Sequence, residues 1–211
     1  MCEVIRMVLA GEGGQGVQSI AEILAEAVNE EGRQALYIPN FGVEQRGGVS
    51  VAFLQISDYP IGSPKFQTGD FVAALSDRAV HRTAQYVGPE TTFIYDSAID
   101  DVAGILPKNA ATVLPVPAME VAKEELQPRV FNMVIMGAVI GASGIISLDK
   151  AKAAIEKKLG YKFEKQPQLR DLNFKALERG VELSRKTWEV GQLGRETWDV
   201  GREIQGIPLG T

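Results

Sequence analysis

Two glycine-bearing stretches hold the residue types that could handle an anion. The first, Gly11-Glu12-Gly13-Gly14-Gln15-Gly16, matches GxGxxG through Gly11, Gly13 and Gly16. Between a strand and a helix, such a loop turns backbone N–H groups and the helix N-terminus toward a phosphate, with no side chain in the way. The second is Phe41-Gly42-Val43-Glu44-Gln45-Arg46-Gly47-Gly48. Here a permanent cation precedes two glycines whose backbone can form an anion-binding concavity. Set at the ends of adjacent strands, the two turns would flank one crevice. Plain turning accounts for both stretches too: a tight strand-to-helix turn that binds nothing, and an Arg46 paired with Glu44 or Asp58.

Alone, GxGxxG suggests a dinucleotide, whose ribose is held by an acid at the end of the second strand. That place holds Ile38-Pro39-Asn40, while the nearest acids, Glu30 and Glu31, precede the strand. The nicotinamide reading is weakened accordingly. Acid–base chemistry has little to draw on. His81 is the single histidine, on what reads as an exposed helical face, and the nearby Ser76 and Asp77 make no triad by proximity in sequence. No catalytic residue is assigned. With Cys2 as the single cysteine, the chain lacks the residues for an internal disulfide, a CxxC pair, a thiolate zinc site or an iron–sulfur cluster. No metal site is expected.

The elements that must position these turns read as α/β. Val4 to Ala10 is a branched, apolar strand. After the glycine cluster, Val17, Ile20, Ile23, Leu24 and Ala27 recur at helical spacing, and Gly32 stops the helix. Ala35 to Ile38 reads as a short strand broken by Pro39, and Val49 to Ile56 as the next. Two strands joined without a helix favour antiparallel pairing, so the sheet should be mixed. Phe71 to Leu75, Thr92 to Tyr95 and Thr112 to Val116 complete the strands, with a helical stretch at Asp77 to Tyr86. From Ala118 the chain turns helical: Met119 to Leu126, a buried Val130 to Gly141, an amphipathic Leu148 to Leu159, and Asp171 to about Trp188. Gly137 and Gly141, four apart, read as a close helix contact. The expected class is a three-layer α/β/α sandwich with a mixed, mainly parallel sheet.

Composition bounds the rest. The chain has 211 residues, 45% of them hydrophobic, and 22 basic against 27 acidic residues leave a net charge of −5. That balance argues against a general electrostatic hold on nucleic acid. Met1 to Ala10 reads as a charge-interrupted strand rather than a signal peptide. The longest apolar stretch, Phe131 to Ile146, falls short of the roughly 20 residues that span a bilayer. A cytoplasmic protein without membrane contact is expected. One domain covers residues 1–186, and 187–211 form an extension. In it Thr187-Trp188-Glu189-Val190-Gly191 recurs as Thr197-Trp198-Asp199-Val200-Gly201, which reads either as a docking segment or as a frayed terminus.

Taken together, the motifs are specific. Gly11-x-Gly13-Gly14-Gln15-Gly16, Phe41-Gly42-x-Glu44-x-Arg46-Gly47-Gly48 and Ile56-Ser57-Asp58-x-Pro60-Ile61 resemble the gamma subunit of the 2-oxoacid:ferredoxin oxidoreductases, and the corresponding domain of pyruvate:ferredoxin oxidoreductase. Arg129-Val130-x-Asn132-Met133, Gly137-Ala138 and Asn173-x-x-Ala176-Leu177-x-x-Gly180 are similar to the same family's helical half. The resemblance implies an enzyme that oxidatively decarboxylates a 2-oxoacid to acyl-CoA and passes electrons to ferredoxin. It implies that thiamine diphosphate and iron–sulfur clusters are held by partner alpha, beta and delta subunits, with no cofactor bound by this chain alone. CoA is then the co-substrate. The implied contacts are Gly11, Gly13, Gly14, Gln15, Gly16, Arg46, Gly47 and Gly48, facing CoA phosphates or a partner surface. A stand-alone dinucleotide-dependent oxidoreductase and the small subunit of an indolepyruvate ferredoxin oxidoreductase are the alternatives. An isolated chain could pair with itself.

Overall fold

Branched and aromatic residues in alternation supply six strands: β1 (Ile5–Glu12), β2 (Gln34–Asn40), β3 (Val49–Ser57), β4 (Phe71–Ala74), β5 (Thr92–Asp96) and β6 (Thr112–Val116). The computed structural model describes residues 4–41 and 48–204, with side chains through residue 186. One sheet runs in the order β2-β3-β1-β4-β5-β6. β1–β4, β4–β5 and β5–β6 are parallel, whereas β3 is antiparallel to both β1 and β2. The sheet is therefore mixed and mainly parallel, with helices on both sides, as expected.

Period-two alternation sorts each strand between two cores. Met7, Leu9, Ala52, Leu54, Ile56, Ile94 and Leu114 point into one, with α1 (Val17–Glu30), α3 (Ala118–Glu124), α4 (Phe131–Ser143), α5 (Leu148–Lys165) and α6 (Gln168–Ile204). Val8, Ala10, Val51, Val72, Ala74 and Phe93 point into the other, with Ala79 and Val80 of α2 (Asp77–Thr83). Five helices build the first face. The second is covered by α2, short 3₁₀ turns and loops.

α4 is apolar nearly all round and buried from Met133 to Ile140, as a helix between two layers must be. It meets α6 backbone to backbone. A Cβ at Gly137 would overlap the Leu177 carbonyl, and one at Gly180 would overlap the Val134 carbonyl. A Cβ at Gly141 would strike Ser184 Oγ and come within 3.0 Å of the Val181 carbonyl. The glycines expected to permit close approach do so.

Several boundaries differ from the sequence reading. β2 continues through Pro39 to Asn40, while β6 keeps its expected bounds with Pro115 inside it. Both are edge strands, where a missing amide N–H need not cost a ladder bond. The second helical stretch splits into α2 and a 3₁₀ turn at Ala84–Tyr86. α5 passes Gly160 and ends at Lys165, because Phe163 is buried and holds the extra turn. α6 begins at Gln168 and continues to Ile204, past the end expected near Trp188. The side chains of Trp188 and Trp198, and Cys2, lie outside the described residues.

Candidate functional site

The first turn is built from strand upward. Gly11 and Glu12 still belong to β1, paired with Ser50 and Val49 of β3. Gly13 and Gly14 then stand exposed, Gly14 with φ +98°. Gly16 caps α1 at φ +77°, a left-handed conformation suited to glycine. No side chain caps α1, and its first turn carries no acid. The helix end thus keeps its partial positive charge unopposed locally.

Gln15 holds the turn in shape. Its Oε1 accepts from the Glu12 amide at 2.6 Å, and its Nε2 donates to the Leu75 carbonyl at 2.9 Å, just beyond β4. Both ends of this side chain bond to the protein, which fixes the turn so that the backbone of Gly13 and Gly14 stands exposed. Gly11 is a packing glycine: an added Cβ would lie 2.7 Å from Gln15 Oε1 and 2.8 Å from Val17 Cγ2.

Sheet topology brings the two stretches to one edge. Because β3 runs antiparallel between β1 and β2, the end of β2 and the start of β3 emerge beside the end of β1. The register pairs Glu12 with Val49 and Asn40 with Val51. Gly48 therefore sits at the same sheet edge as Gly13 to Gly16. Arg46 and Gly47, like Glu44, lie outside the described residues. Asp58 pairs with Arg33 at 2.9 Å. The same topology counts against a dinucleotide. β3 separates β2 from β1, which sets the end of β2 two strand spacings, roughly 10 Å, from the glycine turn. Among the described residues at that end, Ile38 to Phe41, none carries a carboxylate.

Three further groups shape this edge. Asn132, in the first turn of α4, leans over Gly16, where a Cβ would meet its Nδ2 at 2.7 Å. An asparagine in an otherwise apolar helix was the available signal. Tyr37 donates to Gln18 Oε1, and Gln18 Nε2 donates to Ser50 Oγ at 2.6 Å and to the Val51 carbonyl at 3.1 Å. This network ties α1 to both strands that flank the second loop. Burial, helped by Glu22, raises the Tyr37 pKa and keeps its phenol protonated.

Among the described residues, one cavity touches the glycine turn and another lies over β2 and β3. Between β1 and β4, whose following helices pass to opposite faces, lies the crevice where open α/β sheets bind ligands. It measures about 420 Å³ and is lined by Gln15, Ser76 and Met119 with Asp77, Asp96 and Asp100, with no Lys or Arg among the described lining residues. Burial pushes the Asp96 pKa up, partly offset by amides of Ala98, Met119 and Ala118 and by Lys123. On the other side, Ile38, Phe41, Phe53, Lys65, Phe66 and Tyr86 line a cavity of about 580 Å³. The crevice is acidic; the cavity is aromatic and carries one cation.

His81 is exposed on α2, in keeping with a surface histidine. Among the described residues, no group of three or more His, Cys, Asp or Glu is placed to hold a metal ion. No helix among them is long and apolar enough to cross a membrane.

A family model described as pyruvate ferredoxin/flavodoxin oxidoreductase matches residues 6–183. Over 185 residues the chain is 33% identical to ketoisovalerate oxidoreductase subunit VorA of Methanothermobacter thermautotrophicus, covering 88% of this chain and 37% of that protein. It thus spans little more than a third of that curated relative's length. Two solved structures share the fold. The gamma subunit of a keto/oxoacid ferredoxin oxidoreductase from Geobacter sulfurreducens is 26% identical, with a TM-score of 0.74 over 88% of this chain and 98% of that one. The 2-oxoglutarate:ferredoxin oxidoreductase of Magnetococcus marinus, with 2-oxoglutarate, coenzyme A and succinyl-CoA bound, is 25% identical. Its TM-score is 0.79 over 87% of this chain and 31% of that one.

Proposed function

The chain belongs to the pyruvate ferredoxin/flavodoxin oxidoreductase family, and on that basis we propose that it serves as the gamma-type subunit of a multi-subunit 2-oxoacid:ferredoxin oxidoreductase. The assembled enzyme converts a 2-oxoacid and CoA to acyl-CoA and carbon dioxide, and reduces ferredoxin. Thiamine diphosphate and iron–sulfur clusters, held by alpha, beta and delta partners, supply the carbon and electron chemistry. This chain is silent by itself and works in the cytoplasm beside the thiamine-bearing subunits. Choice of oxoacid rests with those subunits.

The observation that carries the reading is the common edge: Gly13 to Gly16 and Gly48 emerge from adjacent, paired strands, beside an uncapped helix N-terminus. Backbone donors there suit the phosphates of CoA, and Arg46, two residues before Gly48 in sequence, is the cation proposed to join them. The test is Arg46→Ala in the assembled enzyme. A charge-assisted contact of roughly 1.5–3 kcal/mol corresponds to a rise of about ten-fold or more in the KM for CoA. The KM for the oxoacid should stay put. Equal changes in both constants, or none, would assign Arg46 to subunit assembly.

A further inference from the structure

We propose that β2 is a self-association edge: two copies of this chain pair antiparallel there, about a two-fold axis at Tyr37, and join their sheets. The inference is independent of the function proposed above. It starts from which main-chain groups of β2 face outward. The amides of Asp70 and Leu75 donate to the carbonyls of Arg6 and Ala10, so even-numbered residues of β1 face β4 and odd-numbered ones face β3. Carried through the register, Leu54 and Ala52 of β3 answer β1, while Phe53 and Gln55 turn to Ile38 and Leu36 of β2. Ala35, Tyr37 and Pro39 are left pointing away from the sheet. Pro39 therefore forfeits no ladder bond. Among the described residues, no hydrogen bond reaches the outward amides of Ala35 and Tyr37.

This edge is complementary to itself. Gln34-Ala35-Leu36-Tyr37-Ile38-Pro39-Asn40 reads alike from either end: amide, small or ring-closed, branched, then Tyr37 at the centre. With Tyr37 opposite the Tyr37 of a second copy, the two residues exchange a pair of hydrogen bonds. Each Ala35 amide then donates to the Pro39 carbonyl across from it, and the N–H that Pro39 lacks removes one bond from each outer pair. Leu36 faces Ile38 of the second copy at the positions where side chains come closest, and Gln34 faces Asn40, two amides that both donate and accept. This palindrome selects a second copy over a strand from another chain. Natural edge strands are commonly protected by charge, Lys above all, yet β2 carries none. Leu36 and Ile38 are only half-buried, and Phe41 just beyond them is 69% exposed. The opposite edge of the sheet is β6, with a different sequence, so pairing through β2 closes at two copies.

The experiment uses the full chain, with Cys2→Ser in the thiol-bearing variants to remove its own cysteine. Wild type should sediment at twice the mass of one chain at micromolar concentration, and dissociate on dilution. Gln34→Cys and Asn40→Cys fall on exposed positions. Mixed in equal amounts under oxidised glutathione, they should give a disulfide-linked dimer, because the two positions face one another at a separation that a disulfide spans. Each alone should link poorly, since like positions lie roughly 20 Å apart across the axis. Leu36→Glu sets a carboxylate against Ile38 of the other copy. It should raise the dissociation constant about ten-fold or more, with a cooperative thermal transition showing the variant folded. A single-chain mass for wild type throughout, or a mixture that links no better than its components, overturns the proposal. So does a disulfide from Asn40→Cys to a partner subunit in the assembled enzyme, which would make β2 the seat of another chain's strand.

Discussion

The two faces of the sheet are built on different terms. On one, α4 is seated so closely on α6 that Gly137, Gly141 and Gly180 leave no room for a methyl group. On the other, α2, 3₁₀ turns and loops cover a smaller core, and the aromatic cavity remains open at the β2 edge. The close-packed face carries stability and tolerates little change. The thin face has surface to spare for recognition. The glycine turn lies where the two meet, with its helix on the packed side and the acidic crevice beside it.

Substitutions that separate the faces sharpen this contrast. The largest effect is expected at Gly180→Val. The new side chain would overlap the Val134 carbonyl, a backbone atom that cannot swing away, so unfolding free energy should fall by at least about 3 kcal/mol or the chain should fail to fold. Next is Gly16→Ala, which meets both a left-handed backbone and Asn132. A loss of about 2 kcal/mol in denaturant unfolding is expected, and adding Asn132→Ala should return part of it. Full additivity would mean that the Asn132 contact is not what excludes a side chain there.

Asp96 gives a pH test. Burial raises its pKa, so the folded state favours the protonated form and charge on Asp96 opposes folding at neutral pH. Asp96→Asn keeps an oxygen to accept from Ala98 and Met119. The variant should be the more stable at pH 7. That advantage should shrink as pH falls through the raised pKa of Asp96 and vanish below the ordinary carboxylate range. The smallest effect belongs to the surface. Arg179 spans Glu125 with two 2.9 Å contacts and reaches Glu182, clipping the end of α3 to α6. Its hydrogen bonds lower the Glu125 pKa, so this support is present at neutral pH and lost as pH falls through that depressed value. Arg179→Ala should cost about 0.2–1 kcal/mol, less in high salt.

Local pattern carried most of the architecture. Alternation in β1, β3, β4 and β5 and the apolar run of α4 announced their places, and the missing helix between β2 and β3 announced an antiparallel pair. Long-range order did not show. Nothing local says that β3 inserts between β1 and β2, although that insertion is what brings Gly48 to the glycine turn. Pro39 looked like a strand breaker because edge position is a property of the whole sheet. The site was legible as glycine spacing, but the brace that Gln15 makes between β1 and Leu75 was not. Asn132 lies 116 residues from Gly16 in sequence and meets it only through the packing of α4. The opposite polarity of the two cavities arises from side chains scattered over several loops.

The most direct test is reconstitution with and without this chain. The partner subunits should be assembled alone and together with it, and CoA-dependent reduction of ferredoxin by a 2-oxoacid measured. The account predicts that turnover at limiting CoA depends on the added chain and that the isolated chain has none. Oxoacid turnover by the purified chain alone, or full CoA-dependent activity in its absence, would contradict it.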